Sequence, residues 1–309
     1  MGRILAVAIN TFREAVRDRV LYGVLGIATL VLLFTLALAE VALDQQKRIV
    51  LDVGLSSISV FSVLVSVFLG SSLLYKEIER KTLYVILPKP IRRYEFLLGK
   101  YFGIVLTVGV FIAIQGAVQM CVTSLQAGVP LFQVALIVLG MPALLAVLAW
   151  RVPDPASLTF PWALAALGAA TWVARGASVD LMPVLASLVL TLGEVMVLTA
   201  VALFFSAFST PFLTGLLTFG VWVAGRSADA MMSMKSRSIP EVVRVSMHEL
   251  SRVWPNFNIF VPGRHTLEVE LTQGAGPLSY VANTMLYAAA YSIVLLILAS
   301  LVFRRRDFL

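Results

Sequence analysis

The chain has 309 residues, of which 60% are hydrophobic and only 13% are charged, and its mean hydropathy is +0.93. Soluble domains carry about 25% charged residues, so this composition excludes an ordinary soluble protein and predicts an integral membrane protein. The net charge of +7 does not indicate nucleic-acid binding, because the basic residues lie between apolar runs and form no single soluble basic face. Cys121, the only cysteine, lies inside an apolar run, which excludes an internal disulfide and a cysteine metal site.

Residues 1–20 predict an amphipathic helix before the first apolar run. Leu5, Ile9, Phe12 and Val16 recur at helical spacing, whereas charged and amide side chains mark another face. We interpret this segment as a helix that lies in the membrane interface and leads into the first span. A plain cytosolic extension of that span is the alternative.

Four later runs are apolar and long enough to cross a hydrocarbon core of about 30 Å. Because lipid offers no partners to open sheet edges, each run predicts a helix, and the fold class is an all-α polytopic helical bundle. Basic clusters precede the first run, follow the second and follow the last, so the positive-inside rule places all three in the cytoplasm. Both termini are then cytoplasmic and the number of spans is even. The four runs are 21–39, 55–74, 102–125 and 281–303.

The number of spans, six to eight, depends on residues 131–174. Two nearly uncharged pieces in this segment form either an additional transmembrane hairpin or re-entrant and interfacial structure; we favour the hairpin, which gives eight spans. Residues 181–225 are too long for one crossing, so we predict two helices joined by a cytoplasmic turn at Ser209, Thr210 and Pro211.

The polar residues 227–280 fall outside the cytoplasm on this topology. They include a second amphipathic helix over residues 239–254, which begins near Pro240. Both histidines, His248 and His265, lie in this region. No soluble domain is apparent, and residues 1–309 are interpreted as one transmembrane domain.

Residues 75–101 interrupt two apolar runs and contain seven of the 24 lysine and arginine residues. Glu77 and Lys81 stand four residues apart in the favourable acid-first order on a helix that extends the second span. Pro88 and Pro90 disfavour helical geometry just before each of them and predict a bend. Pro90 also suits the first turn of a second short helix. A helix, a rigid bend and a helix would present a charged element to a cytoplasmic partner.

This loop resembles that of the membrane subunits of type-2 ABC exporters, with an acidic pair, a Thr-Leu step, Pro-x-x-Arg and a closing Leu-Gly-Lys. The family commonly has glycine where this chain has Lys81. The residues that carry the resemblance are Glu77, Glu79, Arg80, Thr82, Leu83, Pro90, Arg93, Glu95, Phe96, Leu97, Leu98, Gly99 and Lys100.

Other segments resemble the same family in the same order along the chain. Residues 1–20 look like its elbow helix, SAFSTP at 206–211 is similar to its small-polar turn, and VWPNFNIF at 253–260 resembles its Pro-Asn-containing segment. FRRRDFL, at 303–309, is similar to its common ending. The resemblance covers most of the chain except residues 126–180.

The resemblance implies a permease subunit of the inner, cytoplasmic membrane that forms a homodimer or a heterodimer. Its loop would act as a coupling helix seated on a separate ATPase, and Arg92, Arg93 and Glu95 are the candidates for that contact. The chain lacks a G-x-x-x-x-G-K-[ST] phosphate loop, so ATP and magnesium are expected in the partner, and no cofactor, metal or catalytic residue is assigned to this chain. The substrate is not predicted. The residues expected to support the loop are Glu77, Glu79, Lys81, Pro88 and Pro90.

Glu194 lies near the middle of a predicted span, where ionisable residues are rare and often functional. It would serve a proton-coupled secondary transporter, or it would be a hydrogen-bonded packing residue; no second charge inside the membrane is predicted beside it to form a relay. A non-transporting membrane scaffold is a further alternative. An intramembrane enzyme is disfavoured because the chain has neither an H-E-x-x-H nor a G-x-S-x-G motif.

Overall fold

The computed structural model describes residues 2–41, 45–79, 92–177, 179–227, 254–261 and 276–305. Within these ranges the chain forms helices and no strand, which confirms the all-α fold class. Two short 3-10 turns occur at Pro155–Leu158 and Asn258–Phe260. The helices, in chain order, are α1 (Gly2–Val16), α2 (Arg19–Val41), α3 (Gln46–Glu79), α4 (Arg93–Gln126), α5 (Leu131–Arg151), α6 (Thr159–Gly176), α7 (Met182–Ser206), α8 (Pro211–Arg226) and α9 (Pro277–Arg305).

Seven helical segments of the described chain, α2 to α7 and α9, are long and apolar enough to cross a membrane. The chain is therefore a multi-pass membrane protein. α8 has 16 residues, which makes it about 24 Å long, less than the thickness of a hydrocarbon core. The last backbone carbonyls of α8 must consequently find hydrogen-bond partners inside the protein.

The predicted division of residues 181–225 into two helices is confirmed, because α7 ends at Ser206 and α8 begins at Pro211. Proline is well suited to a first helical turn, where its missing N–H would have had no partner. The hydroxyl of Ser209 donates to the Phe205 carbonyl at 2.9 Å, and its oxygen lies 2.6 Å from the Thr214 hydroxyl. The turn is therefore held to both helices.

Residues 131–174 contain two helices, α5 and α6, around the turn at Pro155–Leu158. Asp154, in this turn, forms ion pairs with Arg13 and Arg17, at 2.6 Å from Arg13 Nε and 3.1 Å from Arg17 Nη2. The turn of the hairpin therefore lies beside α1. The indole of Trp162 donates to the Met141 carbonyl at 2.7 Å and joins the two helices further along.

α3, α4 and α7 form the centre of the bundle, and more than half of the span-forming window of each is buried. α2, α5, α6 and α9 lie outside them, and Val134 is the only buried residue of α5. The core between the central helices is apolar and includes Ile58, Leu69, Ile104, Phe111 and Val195. Exposed leucine and valine side chains on the outer helices suit contact with lipid.

α3 and α4 are the longest helices of the described chain, with 34 residues each. At about 51 Å, each exceeds the hydrocarbon thickness by about 20 Å. The short helix expected after Pro90 is not separate, because residues 93–100 form the first turns of α4. A movement of this end is therefore passed directly into a central span.

Several predictions concern residues outside the described ranges. They include Lys81, Pro88 and Pro90 in the loop, and the amphipathic helix at 239–254 with His248, of which only Trp254 is described. His265 also lies outside these ranges. The backbone of Glu77 and Glu79 is helical at the end of α3, and their side chains are not described.

α1 is helical as predicted, and part of its predicted apolar face packs against the bundle. Phe12 and Val16 are buried, whereas Leu5 is 61% exposed and Ile9 is 36% exposed. The small side chains of α1 face α4 because two glycines there allow the helices to approach closely, as described below. Leu5 and Ile9 are left on the surface, where an interfacial helix would meet lipid.

Candidate functional site

Glu194 lies in the middle of α7 and is fully buried. Its carboxylate accepts hydrogen bonds from the indole of Trp222 at 2.8 Å, from the hydroxyl of Ser59 at 2.8 Å and from the guanidinium of Arg226. A buried carboxylate in a membrane span requires such partners, because lipid supplies none. The four residues Ser59, Glu194, Trp222 and Arg226 are called the Glu194 network below.

Arg226 contacts both carboxylate oxygens of Glu194. Its Nη2 lies 3.0 Å from Oε1 and 3.3 Å from Oε2, and its Nε lies 3.2 Å from Oε1. The same Nη2 donates to the Ser59 hydroxyl at 2.8 Å, and the guanidinium carbon lies 5.5 Å from the centre of the Trp222 ring. The ion pair and its hydrogen bonds to Ser59 thus connect α3, α7 and α8 at one place.

The expectation that no second charge lies beside Glu194 is wrong. Arg226 is the last residue of α8, and in the sequence it resembles a basic residue at the end of a span. α7 and α8 run antiparallel from their common turn, with Glu194 about 18 Å from the turn and Arg226 about 22 Å from it. Counting residues outward from the turn is the sequence signal that would have paired them.

Residues 254–261 pack against the middle of α7, the end of α8 and the first half of α9 and are called the re-entrant segment. Its Phe257 N–H donates to the Gly225 carbonyl at 3.2 Å, and the Trp254 indole donates to the Val221 carbonyl at 3.0 Å. These bonds satisfy carbonyls at the end of α8, a helix too short to reach water across a bilayer. The re-entrant segment is thus packed into the helical bundle.

Two aromatic side chains of the re-entrant segment are buried beside the Glu194 network. Phe257 packs against Gly225, and Phe260 packs against Gly193, where an added Cβ would lie 2.9 Å from the Phe260 ring. Both glycines are chain neighbours of the charged pair. The hydroxyl of Tyr280 on α9 donates to the Ile259 carbonyl at 2.7 Å, so the last span holds the segment in place.

Small and hydroxylated side chains bring α3 close to α7. The Ser66 and Thr199 hydroxyls lie 3.0 Å apart, and a Cβ at Gly70 would lie 2.5 Å from that of Ala202. Small residues allow close helix approach in membranes, where packing and polar contacts drive association. The close approach of the two helices also places Ser59 against Glu194. This contact lies about two helical turns along α3 from the contact between Ser66 and Thr199.

The start of α4 contains the three residues predicted to contact an ATPase. The Glu95 carboxylate accepts the Arg92 N–H at 2.8 Å, which caps the helix. Arg93 donates from Nη1 to the Phe303 carbonyl near the end of α9, at 3.2 Å. The exposed Arg92 side chain donates to the Tyr94 hydroxyl at 3.4 Å. The three lie together, and Arg92 is the most exposed of them.

α1 packs against this end of α4 at two glycines spaced four residues apart. A Cβ at Gly99 would lie 2.5 Å from the Val7 Cβ, and one at Gly103 would lie 2.5 Å from the Thr11 Cβ. Each substitution would require the helices to move apart. Gly99 is also part of the Leu-Gly-Lys step noted in the sequence, so that step now has a packing reason.

Lys100 of the same step is 1% exposed. Its ammonium lies 3.8 Å from Glu14 Oε2 on α1 and 5.8 Å from the centre of the Phe96 ring. The ion pair joins α1 to α4 across the glycine contact. α1, the start of α4 and the end of α9 therefore form one connected unit, which is called the α4 base.

Two polar regions thus stand out, the Glu194 network and the α4 base. Comparison of the chain with protein-family models finds no match, and comparison with curated proteins finds no significant match.

Proposed function

We propose that the chain is the permease subunit of an ATP-driven exporter, which works as a dimer and is coupled to separate ATPase subunits through residues 75–101. The observation that carries this proposal is the α4 base. The predicted contact residues begin a helix that continues without interruption through the centre of the bundle. A force applied at Arg92 would move a span as a rigid rod of about 51 Å.

The contacts of the α4 base support transmission to more than one helix. Arg93 bonds to the last turns of α9, and Gly99 and Gly103 hold α4 against α1. α9 in turn packs along α7, which carries Glu194. Displacement of the α4 base would therefore reach each central helix of the bundle through direct packing.

We infer eight crossings with both termini in the cytoplasm, and α1 as the elbow helix of the subunit. The length of α5 and α6 supports an additional hairpin, and the ion pairs of Asp154 with Arg13 and Arg17 support a cytoplasmic turn beside α1. α8 counts as the short crossing, completed by the re-entrant segment. Cysteine accessibility on the two sides of the membrane tests this topology.

The coupling proposal is tested by purifying the tagged chain from its native membrane and assaying the preparation for ATP hydrolysis and for a co-purifying ATPase with a phosphate-loop motif. Arg92→Glu is expected to reduce recovery of the ATPase by about tenfold or more, because a reversed charge costs several kcal/mol at an interface. Arg175→Glu, at the other end of the bundle, is the matched control. Full recovery with Arg92→Glu would contradict the assignment.

The proton-coupled alternative is addressed by transport in sealed vesicles. An ATP-driven exporter transports only when the ATPase and ATP are present. In such an exporter, Glu194→Gln should lower the stability of the protein and leave the pH dependence of transport largely unchanged. Transport driven by a pH gradient without ATP, and lost in Glu194→Gln, would favour the alternative.

A further inference from the structure

The C-terminal half of α1 and the turn between α5 and α6 form a basic surface. Arg13 and Arg17 meet at Asp154, yet their side chains remain 45% and 65% exposed. The ion pairs join Asp154 to Nε of Arg13 and to Nη2 of Arg17. A guanidinium has five N–H donors and a carboxylate accepts about four hydrogen bonds, so one carboxylate cannot pair all the donors of two exposed arginines.

Positive charge exceeds negative charge on this surface. Exposed Arg19, at the start of α2, follows Arg17 closely in the chain, and exposed Arg151, at the end of α5, precedes Asp154 closely. The neighbouring carboxylates already have contacts within the protein: Asp18 accepts the Val20 N–H at 3.0 Å, and Glu14 pairs with Lys100. One carboxylate, that of Asp154, thus faces several guanidinium groups.

The surface lies at the end of an apolar helix, where a headgroup layer would meet it. Trp150, beside Arg151, is 95% exposed, and tryptophan is enriched where membrane and water meet. Leu5 is exposed on α1 and suits contact with acyl chains. Guanidinium groups bind phosphate oxygens in bidentate geometry.

We propose that Arg13, Arg17 and Arg151 bind the phosphate of an anionic phospholipid headgroup on the side of the membrane where Asp154 lies. The bound lipid bridges α1 and the α5–α6 hairpin, adding to the bridge that Asp154 makes. This site does not depend on transport or on an ATPase partner. It gives a role to a hairpin that lies outside the part of the chain with the family resemblance.

The test compares the purified full chain in nanodiscs of phosphatidylcholine with nanodiscs that also contain phosphatidylglycerol. Phosphatidylglycerol should raise the thermal unfolding midpoint of the wild type and should be retained in native mass spectrometry. Each arginine removed should lower phosphatidylglycerol affinity about fivefold, since a basic side chain near an anionic surface contributes about 1 kcal/mol. The single variant Arg151→Gln is informative because the Arg151 side chain is exposed. Its replacement should lower lipid affinity without disturbing the fold.

Three controls isolate the contribution of the lipid site. Arg175→Gln, at the opposite end of α6, should keep the full effect of phosphatidylglycerol. Asp154→Asn should lower stability in both lipids and keep the increment from phosphatidylglycerol, because it removes a competing anion. Inorganic phosphate added to phosphatidylcholine nanodiscs should have no effect. An unchanged increment in Arg13→Gln/Arg17→Gln/Arg151→Gln, or an equal effect of inorganic phosphate, would overturn the proposal.

Discussion

Removing one charge from the Glu194 network should destabilise the protein more than removing both. Glu194→Gln retains the size of the side chain but leaves the guanidinium of Arg226 without its anion. Breaking a buried ion pair costs about 3–5 kcal/mol. Because the Arg226 side chain is 23% exposed, we expect the lower end, about 3 kcal/mol. Arg226→Gln should cost a similar amount for the converse reason.

The double variant Glu194→Gln/Arg226→Gln places two neutral amides at the same site. Both can hydrogen bond to each other, to Ser59 and to Trp222, so we expect a loss of only about 1 kcal/mol, the usual size of a polar contact in a membrane protein. The assay is equilibrium unfolding in bicelles, followed by tryptophan fluorescence. Arg175→Gln is the control for loss of an exposed arginine. A double variant that loses as much stability as the two single variants together would show that Glu194 and Arg226 do not stabilise each other.

Three further substitutions and one control test the helix contacts in the same unfolding assay. Gly103→Ala should cost about 2 kcal/mol, because its Cβ would lie 2.7 Å from a backbone carbonyl of α1; Gly168→Ala, whose Cβ meets nothing, should instead stabilise α6 by about 0.5–1 kcal/mol. Gly225→Ala should cost about 1–3 kcal/mol by displacing the re-entrant segment, and wild-type stability would contradict that packing. Gln119→Leu removes a donor 3.0 Å from the Val50 carbonyl and should cost about 1 kcal/mol; no loss would mean that this bond does not join α3 to α4.

Features encoded locally were predictable from the sequence. The turn between α7 and α8 follows from Pro211 after a small polar run, and the two helices within 131–174 follow from uninterrupted apolar length. The all-α fold follows from the cost of unpaired backbone groups in lipid. Each of these inferences requires only neighbouring residues and the thickness of a bilayer.

Features that depend on the relation between helices were not predictable in the same way. Arg226 resembles the basic end of a span until α8 is placed antiparallel to α7, which brings it to Glu194. The buried face of α1 is decided by Gly99 and Gly103 on another helix, which favour the close approach of small side chains. Hydrophobic periodicity within α1 therefore predicted one apolar face, but it could not show that Phe12 and Val16 on this face are buried in the bundle whereas Leu5 and Ile9 are exposed.

The contact between the α4 base and an ATPase is measured most directly by site-specific cross-linking. Cys121 is the only cysteine, so a Cys121→Ala background allows one new cysteine to be placed at Arg92. Arg92→Cys is expected to cross-link to a co-purified ATPase, whereas Gln126→Cys, at the opposite end of α4, is expected not to. A complex recovered intact in which Arg92→Cys gives no cross-link, or in which Gln126→Cys gives the same one, would contradict the proposed contact.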